Sequence, residues 1–296
     1  MSGGLASYLG RLCSYLANQG HDIHVFTRSS EEGIVTSSSV NVHRVVPWWS
    51  ESRRFDRFDP AVPRMLYSPY QDIKAAWSLS CAVRNAHDEK PFDMVQLSNV
   101  MGTGLFFRKS SIPLVMRLSS FKPDCVAANG GADSLAERVR MRIERRSVRQ
   151  QKHLFAPSFL VAERVESFYR TNKLSVIETP FFKEDIKNDP SILSQKCGNK
   201  PYLLFFGRLS RLKGVHLLAD ALPDLMNSIP EMEAVFIGAD SNTAPGGGQY
   251  EKLYLRKVIQ LSRPSAYIAA VAAQSIISIY SRCTLRSTAV SYGQPT

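Results

Sequence analysis

The feature that most constrains this chain is an alternation. Short apolar runs, FDMVQLS (92–98), IPLVMRLSS (112–120), HLFAPS (153–158) and LSVIETP (174–180), are separated by helical stretches or by turns that carry glycine. Strands buried on both faces read as near-continuous apolar runs. Strands alternating with helices imply a parallel sheet covered on both sides. Helices are expected over about 134–152 and 159–170, the second with Ser158 placed as its N-cap, and the segment 99–111 with Gly102 and Gly104 joins two of the strands. The same rhythm restarts later, with strand YLLFFG (202–207), a helix over about 214–228 and strand EAVFIG (233–238). Between the two patterns, KEDIKNDPSILSQKCGNK (183–200) is polar and irregular and reads as a linker.

The expected organisation is therefore α/β with two Rossmann-like domains, over 1–182 and 201–296. The length of 296 residues agrees with two domains of about 150 residues each. With 44% hydrophobic and 21% charged residues there is apolar material for two cores.

Two local patterns carry chemistry. The chain opens MSGGLASYLGRLCSYL, in which Leu5, Tyr8, Leu9, Leu12 and Leu16 recur at helical spacing, Gly20 is placed to end the helix, and HDIHVFT reads as the next strand. Gly3 and Gly4 stand at the start of that helix. Glycine lets backbone N–H groups approach an anion closely, and a helix start offers unpaired donors and a partial positive charge. A phosphate-cradling turn of this kind normally follows a strand, and none precedes Gly3. The first domain is thus expected to lack its first, central strand and to expose an unpaired sheet edge. Taken alone, the glycine pair is equally well a plain turn. The second pattern is FFGRLSRLKG (205–214), where a strand ends at Gly207 and Arg208 and Lys213 follow. Ligands of open α/β sheets bind beyond the carboxyl ends of the strands, and there a planar arginine fork and a lysine point charge can clamp a diphosphate. An isolated pair with this spacing would be a solvated basic turn; the strand, both glycines and the second α/β pattern favour the clamp.

These residues carry a family resemblance. GGLASYLGRLCSYLANQGHDIHVFT closely resembles the opening of family 4 glycosyltransferases of the GT-B fold, and YLLFFGRLSRLKGVHLLADALPDL resembles the start of their C-terminal domain. FDMVQLSN, IPLVMRLSS and HLFAPSFLVAERV fit the strands between, in order, so the resemblance covers about 1–240. It implies a two-domain enzyme that holds a nucleotide-sugar donor in a cleft and transfers the sugar to a glycan or lipid-linked acceptor. By family habit the transfer retains anomeric configuration and uses no metal and no other cofactor. By position, Gly3, Gly4, Arg208 and Lys213 would bind the donor diphosphate, with Gly207 and Gly238 as further donor-cleft positions. No acidic metal-binding pair is convincing, so the cations would stabilise the charge that develops on the leaving diphosphate.

The departures from the family pattern are specific. Ser119 stands where the family commonly has a histidine, so no catalytic side chain is assigned. Phe181 follows Pro180 where an asparagine is usual, and the late pair of glutamates eight residues apart has no counterpart after Glu251, the last acidic residue. The expectation is a family member truncated at both ends: the second domain is incomplete, and the tail from about 255 is of doubtful structure. A catalytically inactive fragment or pseudoenzyme is the alternative.

Net charge is +11 and the pI about 9.5, which favours anionic partners. The basic run RVRMRIERRSVRQQK (138–152) reads as a solvated helix surface, with contact to an anionic membrane or acidic acceptor as the second reading. Nucleic-acid binding rests on charge alone, without an aromatic–basic motif, and is not expected. The aromatic segment 44–70, with Trp48, Trp49, Phe55, Phe58, Tyr67 and Tyr70, is expected to be a long connection, stacking on acceptor sugars or packing on its own domain. Five scattered cysteines without a CxxC pair, and histidines without metal-ligand spacing, exclude a disulfide framework and a zinc site. A cytoplasmic protein is expected, with peripheral contact at the inner face of the membrane left open.

Overall fold

The apolar runs form strands, and the best buried of them, around Leu97, Met116, Ala156 and Val235, are enclosed by the sheet and its helices, while β-strand residues Tyr202, Leu204 and Phe206 leave one face exposed. The computed structural model describes residues 4–37, 39–47, 62–107, 111–128, 134–171, 173–180 and 200–240. Gly3, Trp48, Trp49, Phe55, Phe58, Phe181, most of the expected linker and everything from 241 onward, including Glu251, lie outside the described residues. Two compact units emerge. One holds the described residues up to Pro123 and from 134 to 180; the other holds 200–240 together with 124–128.

The first unit opens with helix α1 (Gly4–Asn18), which Gly20 terminates at φ 89°. Strand β1 (Ile23–Arg28) follows and pairs in parallel with β3 (Val40–Val45), Val25 opposite Val42. Strand β2 (Gly33–Ser37) adds to the far side of β3 antiparallel, an element the purely parallel expectation lacked. Helix α2 (Tyr67–Glu89) is the longest described element and takes in Tyr67 and Tyr70, so the end of the expected aromatic connection is helical. A second, wholly parallel sheet has the order β4–β5–β6–β7, from Val95–Ser98, Leu114–Arg117, Leu154–Ala156 and Ser175–Val176. Among the described residues β1 and β4 each keep one edge without a strand partner, which is where the expected sheet divides in two. Phe26 of β1 still packs on the core beneath the second sheet, and its ring meets Phe92 edge-on at 6.0 Å.

That core is built from Leu97, Met116, Leu118 and Ala156 of the strands and their extensions, with Val83 of α2, Val148 of helix α4 (Leu135–Arg149) and Val165 of helix α5 (Phe159–Tyr169). Ser158 caps α5 as expected, accepting from the Val161 N–H. Helix α3 (Lys122–Ala128) is short and follows β5. The turn pair Val100–Phe106 lies flush against α4 because it carries glycine where a side chain would not fit. Gly102 sits at φ 66°, and a Cβ there would come within 2.5 Å of Ile143 Cγ2. The Gly104 N–H donates to Ser147 Oγ at 3.0 Å, and Gln151 Nε2 donates back to the Gly104 carbonyl at 3.0 Å.

In the second unit β8 (Tyr202–Phe206) and β9 (Glu233–Ile237) pair in parallel, with Phe205 opposite Phe236. Helix α6 (Val215–Ser228) buries Val215, Ala219 and Leu222, one helical face, against Ala234 and Phe236.

Gly102→Ala is expected to destabilise the protein by about 2–3 kcal/mol, from left-handed strain and overpacking against Ile143 together. Urea denaturation measures it, and a loss below half a kcal/mol would contradict the close approach.

Candidate functional site

The side chains that chemistry can use gather at the carboxyl ends of the parallel strands in each unit. In the first unit they are organised by Asn99, one residue beyond β4 and 1% exposed. Its Nδ2 donates to the Ser120 carbonyl at 3.0 Å and to Glu144 Oε1 at 2.8 Å, while its Oδ1 accepts from the Ser119 N–H at 3.0 Å. The segment that leaves β5 is thereby fixed to the end of β4. Glu144 comes from α4, is buried, and also accepts from the Tyr169 hydroxyl at 2.8 Å. Burial pushes the Glu144 carboxyl above the ordinary carboxylate range, opposed by its hydrogen bonds from Asn99 and Tyr169. Burial and the facing carboxylate push the Tyr169 hydroxyl upward too.

Arg117, the last residue of β5, lies 5% exposed beside this network. Its Nη1 donates to Ser119 Oγ at 3.1 Å and its Nη2 to Thr179 Oγ1 at 2.7 Å. The Tyr8 ring of α1 covers the guanidinium with 3.8 Å between Cζ and the ring centroid. A desolvated cation–π contact returns about 2 kcal/mol, against several kcal/mol for burying an unpaired charge. Tyr8 lies one turn into the helix that starts at Gly4, so α1 and the Ser119 segment meet at Arg117.

In the second unit the β8–β9 ladder runs past the strands. The Gly207 N–H donates to the Ile237 carbonyl at 2.9 Å and the Leu209 N–H to the Ala239 carbonyl at 2.8 Å. A Cβ on Gly238, at φ 155°, would meet the Gly207 carbonyl oxygen at 1.8 Å, so two backbones cross where only glycine fits. Arg208, Arg211 and Lys213 all stand exposed within this turn, and none makes an ion pair with a described residue. Gly214, left-handed at φ 73°, turns the chain into α6.

The predicted residues are thus distributed over both units. Gly207 and Gly238 cross at one sheet end, and Arg208 and Lys213 lie in the turn that follows it; Gly4 and Ser119 belong to the other unit, where Arg117 links α1 to the β5 segment. Sequence reasoning assigned no role to Arg117, Asn99 or Glu144. The available signal was a charged residue closing the apolar run of β5 and an amide closing that of β4. The basic helix also differs from a uniformly solvated one. Arg142, Arg146 and Arg149 face outward, but Arg140 is drawn in, with Nε 2.6 Å from Asp72 Oδ2 and Nη1 3.0 Å from Glu137 Oε1. Among the described residues no cluster of three His, Cys, Asp or Glu could hold a metal ion, and no helix is long and apolar enough to cross a membrane.

The glycosyl transferase 4-like domain matches residues 3–179. The chain belongs to that family. Spore coat protein SA of Bacillus subtilis (strain 168) is 50% identical over 40 residues, which is 14% of this chain and 11% of that protein. Among solved structures, the alpha,alpha-trehalose 6-phosphate synthase of Burkholderia multivorans is 13% identical with a TM-score of 0.53, over 86% of this chain and 62% of that one. A variant of Os79 from O. sativa, solved in complex with UDP, is 14% identical with a TM-score of 0.50, over 94% of this chain and 73% of that one. The chain therefore spans less than two thirds of the length of the first two relatives. The fold is α/β and GT-B-like, with parallel strands in both units.

Because the Glu144 pKa is raised in the folded state, its contribution to stability is present below the ordinary carboxyl value of 4.5 and is lost as pH rises through the elevated value. Glu144→Gln keeps an oxygen to accept from Asn99 and Tyr169 without the charge. It should gain on the parent chain as pH rises, reaching on the order of 1 kcal/mol by neutral pH. Urea melts from pH 4.5 to 8 test this, and a difference independent of pH would contradict it.

Proposed function

We propose that this protein transfers a sugar from a nucleotide-sugar donor to a glycan or lipid-linked acceptor, with retention and without a metal. The observation that carries the reading is the turn after β8, where Arg208 and Lys213 stand exposed and without a described carboxylate partner. In open α/β sheets ligands bind at such carboxyl ends. Arg208 offers a planar fork and Lys213 a point charge, suited to two phosphates of a diphosphate. As the bond from the sugar to the diphosphate breaks, negative charge grows on the leaving oxygen, and fixed cations lower that barrier. Gly207 and Gly238 keep the approach free of side chains. In the other unit Gly4 opens α1, and a helix start offers backbone N–H donors suited to a phosphate. Ser119, where the family commonly has histidine, accepts from Arg117 and retains its own O–H to donate to a bound substrate. Membership of the glycosyl transferase 4-like family supports the reaction class, and UDP on the Os79 relative supports a nucleotide donor.

Calorimetric titration of UDP-, GDP- and ADP-sugars should find one that binds, with affinity at least about tenfold weaker in Arg208→Ala and in Lys213→Ala. Unchanged affinity in both would sink the assignment. Transfer assayed in excess EDTA should proceed undiminished.

The outward face of α4 supports peripheral contact with an anionic membrane, which in this reading is the cytoplasmic face. Arg142 and Arg146 rim a hollow of about 490 Å³ whose walls are Leu105, Phe106, Val139 and Ile143. Arginine beside apolar surface suits an anionic amphiphile. Co-sedimentation with vesicles containing anionic lipid should fall with added salt and with Arg142→Ala/Arg146→Ala, and neutral vesicles should not bind. Equal binding to neutral vesicles would refute an electrostatic contact.

A further inference from the structure

Arg117 has no part in the donor clamp, yet it is the buried cation nearest the carboxyl ends of β4 and β5. Among the described residues its polar partners are two hydroxyls, of Ser119 and Thr179, and the Tyr8 ring covers a face of the guanidinium. All three are neutral. They hold the guanidinium in place and leave its charge uncompensated. The same unit treats Arg140 differently: there Asp72 and Glu137 supply two carboxylates to a side chain that joins α4 to α2. Arg84 of α2 is also held by neutral partners, the Phe106 carbonyl and Ser80 Oγ, but it is only half-buried, whereas Arg117 is buried.

The surroundings suit a ligand. A guanidinium has five N–H donors, and two of these are used. Each hydroxyl that accepts from Arg117 keeps its own O–H to donate. Thr179 is exposed, and Ser119 and Tyr8 are half-buried, so the rim of this cluster reaches solvent while the charge stays largely out of water. Asn99 holds the Ser119 segment through its backbone N–H, so the donors are fixed before anything binds. An arginine fork with two flanking hydroxyls matches the oxygens of a phosphate or a carboxylate.

We infer that Arg117, Ser119 and Thr179 form an oxyanion-binding site in the first unit, which takes a phosphate or carboxylate group of a bound substrate. The anion comes either from the donor or from an acidic acceptor. Phosphate binding at Arg117 and nucleotide-sugar binding at Arg208 can each hold or fail without the other.

The test is titration of the full chain with inorganic phosphate at constant ionic strength, followed by calorimetry and by the NMR signal of the Arg117 Nε–Hε group. Saturable binding that shifts this signal is expected, with affinity about tenfold or more weaker in Arg117→Met and intermediate in Arg117→Lys, which keeps the charge but loses the fork. A purely structural arginine would lower thermal stability on substitution but leave the phosphate response unchanged, and that result would overturn the site. So would the absence of phosphate binding in the unaltered chain, a measurement that needs no variant. Competition then names the source: displacement of phosphate by UDP assigns the anion to the donor, and displacement by glucose phosphate or glucuronate but not by UDP assigns it to the acceptor.

Discussion

The side chain of Asn99 is the point on which the first unit turns. One amide reaches the backbone of two residues after β5 and the buried carboxylate of α4, and that carboxylate in turn holds Tyr169 of α5. A buried polar network of this kind is worth having only when every member is satisfied, because low dielectric strengthens each bond and makes each missing one costly. Here the network ties two strand ends and two helices together, in addition to the apolar core they share. It sets where Ser119 stands, and Ser119 together with Thr179 holds Arg117. The elevated Glu144 pKa is the cost of this arrangement, since burial disfavours the charged form.

Both units place their cations by the same logic. A parallel sheet directs its carboxyl ends and the following turns to one side, where a ligand meets backbone donors and side chains from several strands. In the second unit the cations are exposed, in the turn that leaves the crossing of Gly207 and Gly238. In the first the cation is buried and held by neutral groups. An excess of positive charge over the whole chain, +11, draws anionic ligands toward both.

How much of this was legible in the sequence depends on how local each feature is. The strands over 95–98, 114–117, 154–156, 202–206 and 233–237 fall inside the apolar runs; burial on both faces leaves such an unbroken signature, although 202–206 keeps it with Tyr202, Leu204 and Phe206 exposed. Ser158 as a cap and Gly20 as a helix stop are likewise local and were readable. Helix α2 was not, because its buried positions include Asp72, Lys74, Ser78 and Ser80 beside Ala75 and Ala76, so no apolar stripe marks it. Strand β2 was missed because Ile34 and Val35 remain exposed and the strand is held by its ladder to β3. The Arg208 and Lys213 turn is contiguous and could be read directly. The role of Arg117 depends on Tyr8 and Thr179, distant in the chain, and is visible only once the fold brings them together.

The central claim is that substrate anions bind at the carboxyl ends of the parallel strands. Hydrogen–deuterium exchange of the full chain, alone, with a saturating nucleotide-sugar and with inorganic phosphate, tests it most directly. Slowed exchange is predicted at 207–214 with the nucleotide-sugar and at 118–120 with phosphate, with the amides of α2 and α5 unchanged. Saturation of the protein with no protection in either segment, or protection confined to the helices, would contradict it.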